Sequence, residues 1–215
     1  MPLLKKIECE EGWGGIWQIT ETFDQLCGMI PCGECYRRQA LRFASERRRL
    51  EFVAVRLLIF MLNGQDMPVE YMPSGRPFFR DDRGLFLSIS HTSGYAAVML
   101  SRHYATGIDI EAVSERILKL KERLTGPDER AETLYELLLH WSAKESAFKI
   151  LDVPGIDFRA HLRVSGLECP AAEGETETAG HFFLYYNLTD GNAGRFPVHY
   201  ETTDRFVLTY TFHKS

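Results

Sequence analysis

Two short stretches carry side chains whose types and spacing suit chemistry. The first is Gly107-Ile108-Asp109-Ile110-Glu111. On a strand, successive side chains point to opposite faces, so Ile108 and Ile110 are expected toward the core and Asp109 and Glu111 together away from it. Two carboxylates that close repel each other unless a cation lies between them. Oxygen ligands on one rigid element suit Mg²⁺, which keeps several waters and takes its remaining ligands from a substrate phosphate. A half-exposed strand with acidic residues facing water accounts for the same pattern.

The second stretch is Trp141-Ser142-Ala143-Lys144-Glu145-Ser146-Ala147-Phe148-Lys149. At helical spacing Trp141, Glu145 and Phe148 share a face flanked by Lys144 and Lys149. A Glu held against aromatics is poised for a raised pKa, as a general base requires, and lysines beside it can neutralise a phosphate whose charge grows as a bond breaks. The alternative is an amphipathic helix with an i, i+4 ion pair between Glu145 and Lys149, which contributes only about 0.2–0.5 kcal/mol. A third stretch, Ser88-Ile89-Ser90-His91-Thr92 with Gly94, offers hydroxyl and imidazole donors to a phosphate, or forms an ordinary hairpin. A Ser-His-Asp hydrolase is disfavoured, because Ser90 and His91 are sequence neighbours and no Gly-x-Ser-x-Gly elbow surrounds either serine.

The elements that must position these residues alternate between strand and helix patterns. Strands are expected at 13–20, 85–90 and 95–100, with a turn at 91–94, and a helix from about 34 or 45 to 62. Residues 68–77 read as a loop carrying Arg76. In the second half a strand at 106–111 precedes helices at 114–124 and 127–151, the latter bent near His140 and opened by Pro127, Asp128 and Glu129. Strands at 157–164, 181–188, 197–202 and 205–212 close the chain, with an acidic loop at 168–180. The expected class is α+β with mainly antiparallel sheets packed on helices, in two similar halves, 1–104 and 105–215.

The chain has 215 residues, 45% of them apolar and 26% charged, which supports a real core and excludes global disorder. The net charge of −5 argues against a dedicated nucleic-acid binder. No apolar run reaches membrane-spanning length and no secretory signal is visible, so no membrane association and a cytoplasmic location are expected. Five cysteines, an odd number, fit a reducing compartment, and Cys27, Cys32 and Cys35 read as ordinary thiols.

Together the three stretches resemble the 4′-phosphopantetheinyl transferase superfamily, in its monomeric, double-length class. Gly107 to Glu111 is similar to the family's Gly-Ile-Asp-x-Glu strand, and Trp141 to Lys149 to its Trp-Ser-x-Lys-Glu-(Ser/Ala)-x-x-Lys helix. Gly75-Arg76-Pro77 resembles Gly-(Lys/Arg)-Pro, residues 88–92 resemble Ser-(Leu/Ile)-Ser-His-(Ser/Thr), and Arg47-Arg48-x-x-Glu51-Phe52-x-x-x-Arg56 looks like the basic helix of some members. The likeness runs from about 44 to 164. It does not reach the first forty residues.

The resemblance implies a pseudo-twofold fold with coenzyme A bound in the cleft between two halves. It also implies Mg²⁺-dependent transfer of the 4′-phosphopantetheine arm to a serine of an apo acyl or peptidyl carrier protein, releasing adenosine 3′,5′-bisphosphate. By position, Asp109, Glu111 and Glu129 would be Mg²⁺ ligands. Glu145 would bind the metal or deprotonate the carrier serine, Lys149 would stabilise the leaving phosphate and Lys144 the pyrophosphate. Arg48, Arg56, Arg76, Ser90 and His91 would hold coenzyme A, with Arg56 pairing within the core helix as an alternative. A monomer is expected. Two other readings use the same residues: a non-catalytic coenzyme A- or carrier-binding module, and a Mg²⁺-dependent nucleotide hydrolase.

Overall fold

The computed structural model describes residues 3–168 and 177–214. The chain divides into two compact units, Met1–Tyr104 and Ala105–Ser215. Both are α+β, built on antiparallel pairings with helices against the sheet.

In the first unit, strands β1 (Leu3–Glu8) and β2 (Trp13–Gln18) lead into helices α1 (Phe23–Gly28), α2 (Gly33–Ala40) and α3 (Glu46–Asn63). A small hairpin of β3 (Val69–Tyr71) and β4 (Pro77–Phe79) follows, then β5 (Phe86–Thr92) and β6 (Tyr95–Ser101). The main sheet has the order β1-β2-β6-β5, antiparallel throughout. The apolar second half of α3 lies on β2 and β6, burying Val53, Leu57 and Leu58 with Trp17, Val98 and Leu100. Each such side chain contributes roughly 1.5–3 kcal/mol by leaving water. Gly64 ends α3 at φ 76°, a left-handed conformation that costs glycine nothing.

The second unit is led by β7 (Tyr104–Ala112), a 3₁₀ turn (Glu115–Leu120) and α4 (Lys121–Leu124). Then come the long helix α5 (Leu134–Leu151), α6 (Phe158–His161) and strands β8 (Leu162–Ser165), β9 (Thr178–Asn187), β10 (Ala193–Thr202) and β11 (Phe206–Lys214). The sheet order is β7-β11-β10-β9-β8. α5 packs on β11 and β10, and its small residues Ser142, Ala143, Ser146 and Ala147 are buried. Ser142 and Ser146 each meet the Thr209 hydroxyl, at 2.9 and 2.8 Å. These short side chains let the helix backbone come down onto β7. A Cβ on Gly107 would stand 1.9 Å from the Ser146 carbonyl oxygen.

Several expectations are corrected. α5 opens at Leu134, not at 127, because Thr133 and Glu136 form a reciprocal capping box. Pro127 and Asp128 make a turn before it. Residues 158–161 are a helical turn capped by Asp157, which accepts from Arg159 N and Ala160 N at 2.8 and 2.9 Å, so β8 starts only at Leu162. His91 and Thr92 belong to β5, and the turn is confined to Ser93 and Gly94. The loop at 68–77 contains β3, and β1 was not anticipated, since only Ile7 of its side chains is buried. Residues 169–176 of the expected acidic loop lie outside the described residues, and β9 already begins at Thr178. Among the described residues no helix is long and apolar enough to cross a membrane.

The contact at Gly107 is testable. Gly107→Ala should lower the urea midpoint by the equivalent of about 1–3 kcal/mol, the usual range for overpacking, because backbone and not a flexible side chain opposes the new methyl. An unchanged midpoint would mean that α5 stands further from β7.

Candidate functional site

The face of β7 that meets α5 at Gly107 also carries Asp109 and Glu111, two and four residues on. Lys149 Nζ donates to Asp109 Oδ1 at 2.9 Å and to Ile108 O at 2.7 Å. Trp141 Nε1 donates to Glu111 Oε1 at 2.8 Å. Two turns of one helix thus grip both carboxylates. Ile108 and Ile110, on the other face, are also buried, and Asp109 is only 4% exposed. The carboxylates therefore do not project into open water on a face opposite the core; they lie beneath α5.

Glu145 sits on α5 between Trp141 and Lys149. The alternative reading, an ion pair with Lys149, is not formed among the described residues, because the ammonium is turned to Asp109. Burial, followed by the negative charge of Asp109, pushes the Glu145 carboxyl up to about 7, with Lys149 opposing and Glu111 adding to the rise. Burial and Asp109 raise Glu111 as well. Glu145 lines an open cavity of about 560 Å³ whose walls include Trp141, Phe158 and Leu124, with Arg123 and Arg159 at its edge. The Trp141 and Phe158 rings are 5.6 Å apart. A carboxyl titrating near neutrality beside such a cavity can both take and return a proton at physiological pH.

A cation would relieve this arrangement. Asp109 and Glu111 each raise the pKa of Glu145, so one lysine does not neutralise three carboxyls. Among the described residues, no three His, Cys, Asp or Glu side chains stand in ligating arrangement. Mg²⁺ commonly takes one or two carboxylates and completes its shell from water and substrate phosphate, and the pair on β7 fits that donor chemistry.

Lys144 and Glu129 do not join this set. Lys144 is fully buried and donates to Leu124 O, Glu129 Oε2 and Phe158 O at 2.7, 2.8 and 2.9 Å. An ammonium has three protons, so none remains for a pyrophosphate. Glu129 Oε2 also accepts from Gly126 N, and Oε1 from Val164 N, both at 2.7 Å. Its two oxygens are thus engaged by three donors, and in this geometry Glu129 stands as the buried counter-ion of Lys144. Desolvation lowers the Lys144 pKa, and Glu129 opposes that shift. His140, with its pKa lowered by burial, donates from Nδ1 to Glu136 O at 2.8 Å and turns Nε2 toward Glu129.

In the first unit, Arg48 and His91 are brought together. Arg48 Nη1 reaches Glu51 Oε2 at 3.1 Å and His91 Nε2 at 2.5 Å, while His91 Nδ1 is 3.3 Å from the same Glu51 oxygen. Arg48 Nη1 also lies 3.3 Å from His91 Nδ1, so one guanidinium is shared between the imidazole and the Glu51 carboxylate. Glu51, buried at the base of this cluster, was read in the sequence only as part of a motif. Ser90 alternates with His91 along β5 and faces the other side. Arg56 is buried against the Phe52 ring at 4.0 Å and bonds Tyr71 Oη at 3.3 Å, so it is held inside the unit and not presented to a ligand. Arg76 is half-buried at the turn into β4, after Gly75 at φ 91°. The described cysteines, Cys9, Cys27, Cys32 and Cys35, are free thiols.

No protein-family model matches the chain, and a search of curated proteins finds no match either.

Two outcomes follow from this geometry. Lys144→Met and Glu129→Gln should each destabilise the protein by about 3–5 kcal/mol, and the double variant by clearly less than their sum, because a lone buried charge costs more than a missing pair. Additive losses in denaturant melts would contradict the pairing. The second concerns pH. A folded-state pKa of about 7 for Glu145, above its ordinary 4.5, stabilises the metal-free fold fully below about pH 4.5, and that contribution is lost as pH rises through 7. Glu145→Gln should remove this decline from the stability profile measured with a chelator present. Parallel profiles would contradict the shift.

Proposed function

We propose that the chain is a Mg²⁺-dependent 4′-phosphopantetheinyl transferase that acts as a monomer in the cytoplasm. Its substrates would be coenzyme A and the serine of an apo acyl or peptidyl carrier protein. The observation that carries the proposal is the joining of the two motifs: Lys149 on Asp109 and Trp141 on Glu111, residues separated by 40 and 30 positions in sequence. The finer fold assignment, two related halves of a transferase fold, belongs to the same proposal. It is supported by an antiparallel sheet and an 18-residue helix in each unit.

The chemistry makes one bond and breaks one. The carrier serine oxygen bonds to the β-phosphorus of coenzyme A, and the bond from that phosphorus to the oxygen of the leaving adenosine 3′,5′-bisphosphate breaks. Glu145, titrating near neutrality, takes the serine proton. Lys149, partly exposed, offsets the charge on the departing phosphate while holding Asp109 in place. Asp109 and Glu111 would hold Mg²⁺, which when bound neutralises the diphosphate. Arg48, Arg76 and His91 are the residues of the first unit that we assign to coenzyme A phosphates; Ser90 is a weaker candidate, being buried on the other face of β5 from His91.

Incubation with coenzyme A, Mg²⁺ and a panel of apo carrier proteins tests this directly. A pantetheinylated carrier seen by mass spectrometry is the expected result. Glu145→Gln and Asp109→Asn should each reduce its rate of formation by about 10²-fold or more. Hydrolysis of coenzyme A without carrier modification would overturn the proposal in favour of a hydrolase.

A further inference from the structure

The outer strands of the second unit carry a row of side chains that the transfer chemistry does not use. Arg163 on β8 and Arg195 on β10 are both paired directly with Tyr185 on β9. Directly paired residues share a face, and neighbouring strands lie about 4.8 Å apart, so the two arginines rise on either side of one ring. The residues of opposite parity, Leu184, Tyr186 and Phe196, are buried. Each guanidinium is already laid against an aromatic, Arg163 over Tyr185 at 5.3 Å and Arg195 over Phe183 at 4.7 Å. This fixes long side chains that otherwise lose rotamer freedom on binding.

These residues border a cavity of about 810 Å³, a size usual for small-molecule sites, to which Arg159, His161 and Asn187 contribute. Among the described residues none of the three arginines forms an ion pair. The acids in the wall are Asp128 and Glu129, and the latter is consumed by Lys144 and two backbone amides. Three arginines therefore line one cavity, with Asp128 in its wall and Asp157, the cap of α6, acting electrostatically on Arg159, in a chain whose net charge is −5. The floor is rigid. The β10 backbone at Gly194 lies against the Tyr186 ring, where a Cβ would meet the hydroxyl at 2.6 Å, and that ring stacks on Phe196 at 5.0 Å.

We propose that this cavity is a second binding site, for a small molecule bearing a diphosphate or a phosphomonoester. Planar guanidinium forks pair two oxygens at a time, and phosphate oxygens arranged around one or two tetrahedral centres can engage forks arriving from three directions. The amide of Asn187 and the imidazole of His161 supply further donors. The site stands on residues that have no part in the proposed transfer reaction. Arg159 also borders the cavity beside Glu145, so the test leaves it unchanged.

The probe is pyrophosphate without Mg²⁺ at low ionic strength, read by NMR at the Gly194 and Asn187 amides of the full chain. Saturable shifts with a Kd of about 1 mM or tighter are expected, and Arg163→Gln with Arg195→Gln should weaken binding at least tenfold while the spectrum elsewhere stays native. Pyrophosphate bound only at the proposed transfer site would leave these two amides unmoved. That result, or undiminished shifts in the double variant, overturns the proposal. Citrate binding as tightly as pyrophosphate overturns the phosphate assignment.

Discussion

At Gly107 the strand β7 lies so close to α5 that a methyl group would sit 1.9 Å from the Ser146 carbonyl oxygen, and this approach brings the strand motif under the helix motif. Glycine on the strand and Ser142, Ala143, Ser146 and Ala147 on the helix are complementary small surfaces. Because they meet, Lys149 reaches Asp109 and Trp141 reaches Glu111. The longer side chains between these contacts then have nowhere to go but beside one another. Packing comes first, and the electrostatics are its consequence.

That consequence is a cluster with more negative than positive charge, held partly out of water. Desolvation alone disfavours an ionised carboxyl, and neighbouring carboxylates disfavour it further. Glu145 is raised first by its own burial and then by Asp109, with Glu111 adding less and Lys149, committed to Asp109, opposing the rise. By contrast, Lys144 and Glu129 are matched donor for acceptor and brace the surrounding walls. The same pair ties Leu124, Gly126, Phe158 and Val164 to α5, so a turn, a short helix and an edge strand are held by one ammonium and one carboxylate. The two lysines of the motif, five residues apart, thus have unrelated tasks.

What was legible in the sequence follows from what is local. The alternation of Gly107 to Glu111 placed a strand with both acids on one face, and the helical spacing of Trp141, Glu145 and Phe148 gave them one face of α5. The direction of the acidic face was misread, because period two says which residues share a side but not that both sides of β7 are covered. The engagement of Lys144 was not legible for a similar reason: its partners Leu124 O and Phe158 O are backbone atoms 20 and 14 residues away, with no side-chain signature. The start of α5 is set by the capping box Thr133-x-x-Glu136, which the sequence reading, led by Pro127 and the acids after it, did not use. The arginine row across β8 and β10 needs strand register, which only the folded sheet supplies.

Asp109, Glu111 and Glu145 share one electrostatic site, and the proposed function requires that a divalent cation enter it. Calorimetry of Mg²⁺ binding near pH 6.5, in buffers of different ionisation enthalpy, measures this directly. Glu145 titrates near 7, so a cation drawn by the three carboxyls should displace a fraction of a proton on binding. That release should vanish in Glu145→Gln, and binding itself should weaken by at least about tenfold in Asp109→Asn. Mg²⁺ binding with no proton release, or affinity indifferent to Asp109, would contradict the account.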